Sequence, residues 1–345
     1  MAEGYKTRRP DGRVVTGRSR QAPRPLRCAP VSDDITVFSG SAHREFAQEI
    51  CDLLGIPLAP SETTRFSNDC LQVHLDGNCR KRDVFIVQPL VPPVQENLVE
   101  LLLMLDAARG ASAGHLTVVM PHYAYARSDK KDAPRISIGA RLVADLLHKA
   151  GAQRVVTMAL HSPQVHGMFE MPVDHLSANH VLARHFRNNG DLSNAVVVSP
   201  DFGNVKEANH FARLLDVPVA AGAKRRLTDD RVVIDSIVGD VKGKDVIVLD
   251  DEIATAGSLV ELFGKLREVG VNSITAACVH GLFTGPAVER LNAQPDLKEI
   301  VCTNTVPPRV AGSLDRLTVL SVAPLFAEAV RRIHSGESIS SLFDA

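Results

Sequence analysis

From residue 35 onward, short apolar runs alternate with segments whose apolar residues recur at helical spacing. Ile35-Thr-Val-Phe38, Val84-Phe-Ile-Val87, Leu116-Thr-Val-Val-Met120 and Val246-Ile-Val-Leu249 read as strands, as do residues 154–160, 195–199, 273–279, 300–303 and 317–320. Between them, residues 43–54 put Phe46, Ile50, Leu53 and Leu54 on one helical face and stop at Gly55 and Pro57. Residues 95–109 form a Leu-rich helix, 137–150 align Ile138, Leu142, Leu146 and Ala150, and 205–215 give a further helix. After residue 258, Leu259, Leu262, Phe263, Leu266 and Val269 predict a helix that Gly270 can cap. Strands that are apolar throughout are buried on both faces, so the alternation predicts an α/β protein with mainly parallel sheets covered by helices. The strands are too many for one small sheet. Two α/β domains are expected, changing over near residues 175–195.

A chain of 345 residues with 45% apolar content can bury two cores. Its net charge of −1 gives no global footprint for nucleic acid or membrane. The charge is unevenly placed. Residues 1–30 carry eight Lys and Arg against Glu3 and Asp11, a balance of +6, which leaves −7 on the rest. This basic, Pro-containing leader, taken as residues 1–32, reads as a disordered arm. It is also compatible with an organelle transit peptide, being Arg-rich and acid-poor, although it lacks an evident amphipathic helix. No apolar run is long enough to span a membrane. The six cysteines form no C-x-x-C pair, and Cys51, Cys278 and Cys302 sit in apolar segments. That suits small core residues in a reducing compartment, and a cytoplasmic location is expected.

The richest segment is Asp245-Val-Ile-Val-Leu-Asp-Asp-Glu-Ile-Ala-Thr-Ala-Gly-Ser258. A buried strand ends at two carboxylates, Asp250 and Asp251, and a small-residue turn with two hydroxyls opens a helix. N–H groups at a helix start hold phosphate, and carboxylates accept hydrogen bonds from sugar hydroxyls. The combination suits a phosphorylated sugar; the plain alternative is an ordinary junction with acids near a helix start. Three other strand ends carry polar loops, where α/β proteins bind ligands. Residues 121–135 bring Arg127, Lys130, Lys131 and Arg135 with Asp129 and Asp132, which suits an anion or equally a solvated loop. Residues 160–174 hold His161, Glu170 and Asp174, candidate ligands for a divalent metal or its water shell, although a lone His is more often structural. Asp201, in Ser199-Pro-Asp-Phe-Gly203, can hold a second cation or start a turn. Lys224-Arg-Arg226 lies in a polar stretch that reads as a loop, either closing over phosphates or simply mobile.

Taken in order, these segments resemble ribose-phosphate diphosphokinases, the phosphoribosyl pyrophosphate synthetases, from about residue 35 to 344. The collinear pieces are Tyr-Ala-Arg with Asp129-Lys-Lys-Asp132, Leu160-His with Gln164 and Gly167, Ser199-Pro-Asp, Lys224-Arg-Arg226, Val238-Gly-Asp, Asp250-Asp251 with Thr255-Ala-Gly-Ser258, Gly285-Pro-Ala-Val-Glu-Arg290 and Ser341-Leu342-Phe343. The resemblance implies two phosphoribosyltransferase-like domains, residues 33–177 and 178–332, with the segment 333–345 returning to the first. It implies transfer of the diphosphoryl group of ATP to the anomeric hydroxyl of ribose 5-phosphate, with Mg²⁺ as cofactor. Asp250 and Asp251 would bind the ribose hydroxyls, and Thr255, Ala256, Gly257 and Ser258 would cradle the 5-phosphate. Arg127, with Ser128 and Asp132, would meet ATP. His161 and Asp201, with Glu170 and Asp174, would position Mg²⁺, and Lys224 and Arg226 would stabilise the transferring group. Phe66 and Asn68 would hold adenine across a subunit interface of a homo-oligomer, a hexamer built from dimers.

The chain departs from the family pattern at several places. Cys70 stands where a Glu is usual near adenine, Ser128 for Gln, Ala159 for an Asp two residues before the metal His, and Ala254 for an acid. The Gly-Phe-Phe of the metal segment is Gly167-Met-Phe169, and Asn78 replaces a Ser of the anion-regulatory site. Three alternatives follow: a divergent enzyme using another sugar-phosphate acceptor or triphosphate donor, a non-catalytic regulatory subunit of a synthetase complex, and a phosphoribosyltransferase that consumes the activated sugar.

Overall fold

The computed structural model describes residues 34–342 apart from 229 and 230 and the side chains of 224–233, plus the backbone of two short paired strands, Lys6–Arg8 and Val14–Thr16, in the leader. The reading of residues 1–32 as a disordered arm otherwise lies outside the described residues.

Two sheets carry the fold. The first has six parallel strands in the order Val173–Leu176, Arg154–Met158, His115–Val119, Asp83–Val87, Ile35–Ser39 and Leu58–Ala59. The second has seven, in the order Arg231–Val238, Val219–Thr228, Ala195–Ser199, Asp245–Ile253, Ser273–Gly281, Leu297–Thr303 and Leu317–Leu320. All of its pairs are parallel except the first, an antiparallel ribbon. Val84, Phe85, Ile86, Val87 and Val196, Val197, Val198 are fully buried, as continuous apolar strands covered on both faces must be. The expected architecture, two mainly parallel sheets clad by helices, is present.

The expected helices form with small shifts at their ends. Arg44–Leu54 buries Phe46, Ile50 and Leu54 and stops at Gly55, whose φ of 70° closes the last turn. Gly257–Val269 buries Leu259, Leu262, Phe263 and Leu266 and ends at Gly270, φ 84°. Val269 points out instead, at 38% exposed. The return of the chain to the first sheet begins earlier than residue 333. Helix Ala323–Ser335 already packs on Arg44–Leu54, with Phe326 edge-on to Phe46 at 5.4 Å and His334 Nδ1 2.6 Å from Asp83. Each such fully buried ring contributes roughly 2–3 kcal/mol of apolar burial. Leu342 is buried in the same core, which takes residues from both sheets. Cys51, Cys79, Cys278 and Cys302 are buried free thiols, as small core residues.

Two elements were not legible as strands. Ser61–Arg65 and Leu71–Leu75 form an antiparallel hairpin beside helix Val94–Gly110. Lys224 and Arg226 lie within the strand Val219–Thr228, opposite Ile234 and Val232 of its partner, and not in a loop. This ribbon runs past Ser199, where the neighbouring parallel strand ends, so it projects beyond the sheet's carboxyl edge.

Among the described residues, no helix is long and apolar enough to cross a membrane.

Candidate active site at the junction of the two sheets

The carboxyl ends of the two sheets meet. Strand Asp245–Ile253 supplies the acids from one side. It continues through Asp250 and Asp251 rather than stopping before them, and Glu252 pairs in register with His280 of the next strand. The residues following His115–Val119 and Arg154–Met158 supply His122, Arg127 and His161 from the other side. His161 Nδ1 lies 2.7 Å from Asp251 Oδ2. His122 Nε2 lies 3.1 Å from Glu252 Oε2, and Arg127 Nη1 donates to Glu252 Oε1 at 3.2 Å. Asp129 accepts a 2.6 Å hydrogen bond from Ser162, which ties the Arg127 loop to the His161 segment.

The two adjacent acids have opposed environments. Burial, followed by the neighbouring charge of Asp251, pushes the Asp250 carboxyl well above the usual carboxylate range. Burial opposes the charge on Asp251 as well, but hydrogen bonds from His161 and Asp250 outweigh it and hold Asp251 down to about 2. His161 is correspondingly raised by its hydrogen bond to Asp251, against its own burial. The negative charge of the pair is therefore concentrated on Asp251, facing the His161 imidazole.

The turn after the acids is built under strain. Ala256 adopts φ 58°, a left-handed conformation that costs a residue with a Cβ about 1 kcal/mol or more. Ala159, two residues before His161, does the same at φ 46°. Such backbone persists where surrounding bonds determine it. Arg290 Nη1 donates to the Thr255 carbonyl at 2.9 Å, and a Cβ at Gly257 would come within 3.3 Å of the same nitrogen. Helix Gly257–Val269 starts there without a side-chain cap, with Thr255 and Ser258 exposed at its positive end.

His280 braces the other strained residue. Its Nε2 lies 3.2 Å from the carbonyls of both Met158 and Ala159, and its Nδ1 lies 2.9 Å from Thr305 Oγ1. Those partners place the proton on Nε2. Burial, then the neighbouring His122, pushes its pKa down to about 4. A folded pKa below the unfolded 6.5 means that the unfolded chain takes up a proton the folded chain refuses. Stability is complete above pH 6.5 and declines as pH falls toward 4. Urea unfolding should show a loss on the order of 3 kcal/mol from this residue across that range. The loss should shrink in His280→Gln, and an unchanged pH dependence in that variant would remove His280 from the explanation.

A cavity of about 480 Å³ opens beside the acids, lined by His161, His175, Asn179, Asn204, Asp250 and Asp251 among others. That volume suits a small ligand. The structure does not bring all four expected metal residues to it. Asp174 is buried against Arg154 at 2.6 Å, and burial raises its pKa. Strand alternation turns its neighbour His175 toward the cavity instead, where His175 Nε2 accepts the Leu160 N–H at 2.8 Å. Glu170 pairs with Arg141 at 2.8 Å and His148 at 3.8 Å. Among the described residues, no three His, Cys, Asp or Glu are grouped to hold a metal. Asp201 starts an Asx turn, accepting the Gly203 N–H at 2.9 Å.

The remaining expected residues are dispersed. The Ser128 hydroxyl accepts the Gly139 N–H at 2.9 Å, at the start of helix Gly139–Ala150. Asp132 forms a surface pair with Lys130 at 3.7 Å. Phe66, 48% exposed, and Asn68 occupy the hairpin tip, where Asn68 Oδ1 accepts the Cys70 N–H at 3.3 Å. The backbone of Lys224 and Arg226 lies on the ribbon; their side chains lie outside the described residues. His122, Glu252 and His280 were not singled out from the sequence. Their signal was position alone, since each lies within three residues of a strand's carboxyl end.

Comparison with known proteins gives a consistent result. Residues 35–151 match the model of the N-terminal domain of ribose phosphate pyrophosphokinase, and residues 233–344 that of the phosphoribosyl synthetase-associated domain. A putative ribose-phosphate pyrophosphokinase of Streptomyces coelicolor is 66% identical over 312 residues, covering 90% of this chain and 98% of that protein. The ribose-phosphate pyrophosphokinase of Deinococcus radiodurans is 52% identical over 314 residues, with coverage of 90% and 98%. The crystal structure of phosphoribosylpyrophosphate synthetase from Mycobacterium smegmatis superposes with a TM-score of 0.83 at 38% identity, covering 88% of this chain and 99% of that one.

Proposed function

The chain belongs to the ribose-phosphate pyrophosphokinase family, and from that premise we propose that it transfers the diphosphoryl group of ATP to the anomeric hydroxyl of ribose 5-phosphate, giving 5-phosphoribosyl 1-diphosphate and AMP. The anomeric oxygen bonds to the β-phosphorus and loses its proton, and the bond from that phosphorus to the AMP oxygen breaks. The observation that carries this reading is the junction itself. Two cross-sheet contacts, His161 to Asp251 and Arg127 to Glu252, set an arginine for polyphosphate beside acids for a sugar.

Phosphoryl-type transfer asks a protein mainly for positioning and charge neutralisation. In this reading Asp251 accepts from a ribose hydroxyl, and Asp250, driven toward its protonated form, both donates and accepts. The N–H groups of Thr255-Ala-Gly-Ser258 receive the 5-phosphate at the helix start. Arg127 meets the ATP phosphates, and Lys224 and Arg226 balance charge on the transferring group. The donor set fits Mg²⁺ that keeps most of its water: His161 and Asp201 would hold it, with Glu170 and Asp174 engaged elsewhere, and when bound it would neutralise polyphosphate charge. Exposed Phe66 and Asn68 at the hairpin tip suit adenine of a neighbouring subunit, in a hexamer built from dimers. In this reading the enzyme works in the cytoplasm.

The test is to mix the purified chain with Mg²⁺, ATP and ribose 5-phosphate and follow AMP by chromatography. AMP formed only when ribose 5-phosphate is present supports the proposal. A chain that releases no AMP alone but raises turnover of an active homologue would instead be a regulatory subunit. A second reading, a different triphosphate donor or pentose phosphate, draws on two observations. The Ser128 hydroxyl is engaged by a helix start, and Cys70 is exposed beside Phe66. Strict use of ATP and ribose 5-phosphate across a substrate panel would end it.

A further inference from the structure

Glu252 follows the sugar-facing acids in sequence, yet it makes neither of their contacts. Its side chain is 11% exposed and joins two groups from the opposite sheet. One carboxylate oxygen faces His122 Nε2 at 3.1 Å, and the other accepts from Arg127 at 3.2 Å. His122 is a firm anchor. It is buried, its Nδ1 lies 2.7 Å from the Leu90 carbonyl, and its ring packs edge-on against His280 at 4.7 Å. Arg127 is the opposite case, with a side chain 59% exposed. A long exposed arginine must give up rotamer freedom before it can hold a ligand, and a fixed carboxylate removes that cost in advance.

We propose that Glu252 is a positioning residue, anchored through His122, that aims the Arg127 guanidinium at the polyphosphate of the donor. The carboxylate takes one edge of the planar guanidinium and leaves the remaining N–H donors for phosphate oxygens. Because Glu252 shares a strand with Asp250 and Asp251, the same element then sets the distance between the donor's phosphates and the sugar. Burial alone would raise the Glu252 pKa; the His122 and Arg127 contacts outweigh it and keep the carboxyl below its ordinary value. This inference rests on the reading that Arg127 meets ATP phosphates.

The experiment is a double-mutant cycle of Glu252→Gln and Arg127→Ala, read by Mg-ATP and Mg-tripolyphosphate binding in isothermal titration and by steady-state AMP formation. Glu252→Gln should weaken Mg-ATP binding by about 10-fold, the loss of one charge-assisted hydrogen bond, with little change in KM for ribose 5-phosphate. In the Arg127→Ala background the same substitution should change binding less than about twofold, because its effect passes through the arginine. Glu252→Met serves as the second variant if the glutamine form is unstable. Equal losses in both backgrounds, or tighter Mg-ATP binding in Glu252→Gln, would overturn the inference. So would a wild-type chain that binds neither polyphosphate. A wild type that binds Mg-ATP, shows the coupling and forms no AMP would end the proposed reaction while leaving this inference standing.

Discussion

Lys224→Ala is expected to lower kcat by about 10³-fold while changing KM for ribose 5-phosphate by less than about threefold. Lys224 sits on the ribbon that projects beyond the carboxyl edge of the second sheet, two strands away from the acids in the sheet order. In the proposed reading the sugar is held by the acids and the helix start, which leaves the lysine no part in ground-state sugar binding. Its charge matters when negative charge shifts within the polyphosphate during transfer. In a closed site with little water, one preorganised donor counts for more than it would in solvent. Steady-state AMP formation with each substrate varied separates the two parameters. A loss of sugar affinity at unchanged maximal rate would reject this role for Lys224.

The second large effect is expected at Asp251. Asp251→Asn should lower kcat/KM for ribose 5-phosphate by about 10³-fold, since it weakens the contact with His161 and, in the proposed reading, the hydrogen bond to the sugar, each of which depends on the carboxylate charge. Asp250→Asn should be milder. Asp250 is already driven toward its protonated form, which an amide resembles in shape and in having both a donor and an acceptor. Comparing the two variants by initial rates over a ribose 5-phosphate series checks the asymmetry. Equal losses would contradict the division of charge between the adjacent acids.

What was legible in the sequence follows from what periodicity encodes. Continuous apolar runs such as Val84-Phe-Ile-Val87, short and rich in β-branched and aromatic residues, favour a strand covered on both faces, and they appear where expected. The helix after residue 256 was equally clear, because its apolar spacing and Gly270 agree. The hairpin Ser61–Arg65 with Leu71–Leu75 was missed because its residues are half-exposed or exposed and carry no apolar run. The ribbon holding Lys224 and Arg226 was read as a loop because its polar stretch masks strand pairing. Tertiary pairing overrides local composition there.

Within the site, sequence proximity misled where strand alternation decides. Asp174 lies close to His161 along the chain, but adjacent strand residues face opposite ways, so His175 lines the cavity while Asp174 meets Arg154. Glu170 is drawn off by Arg141 and His148. Glu252 and His280 escaped notice because both lay beyond the runs read as strands, 246–249 and 273–279, without a motif of their own, and their contacts form only when two distant sheet edges meet. The placement of the acids, the turn after them, Arg127 and His161 at the sheets' carboxyl ends was readable because a strand end followed by a polar loop is a local pattern.

The most direct test of the junction as a diphosphoryl-transfer site follows the label from ATP carrying ³²P at the β-phosphorus, supplied with Mg²⁺ and ribose 5-phosphate. Label recovered in a sugar 1-diphosphate, matched mole for mole by unlabelled AMP, is the expected result. Labelled ADP with free phosphate, or label that stays in ATP when ribose 5-phosphate is added, would contradict it.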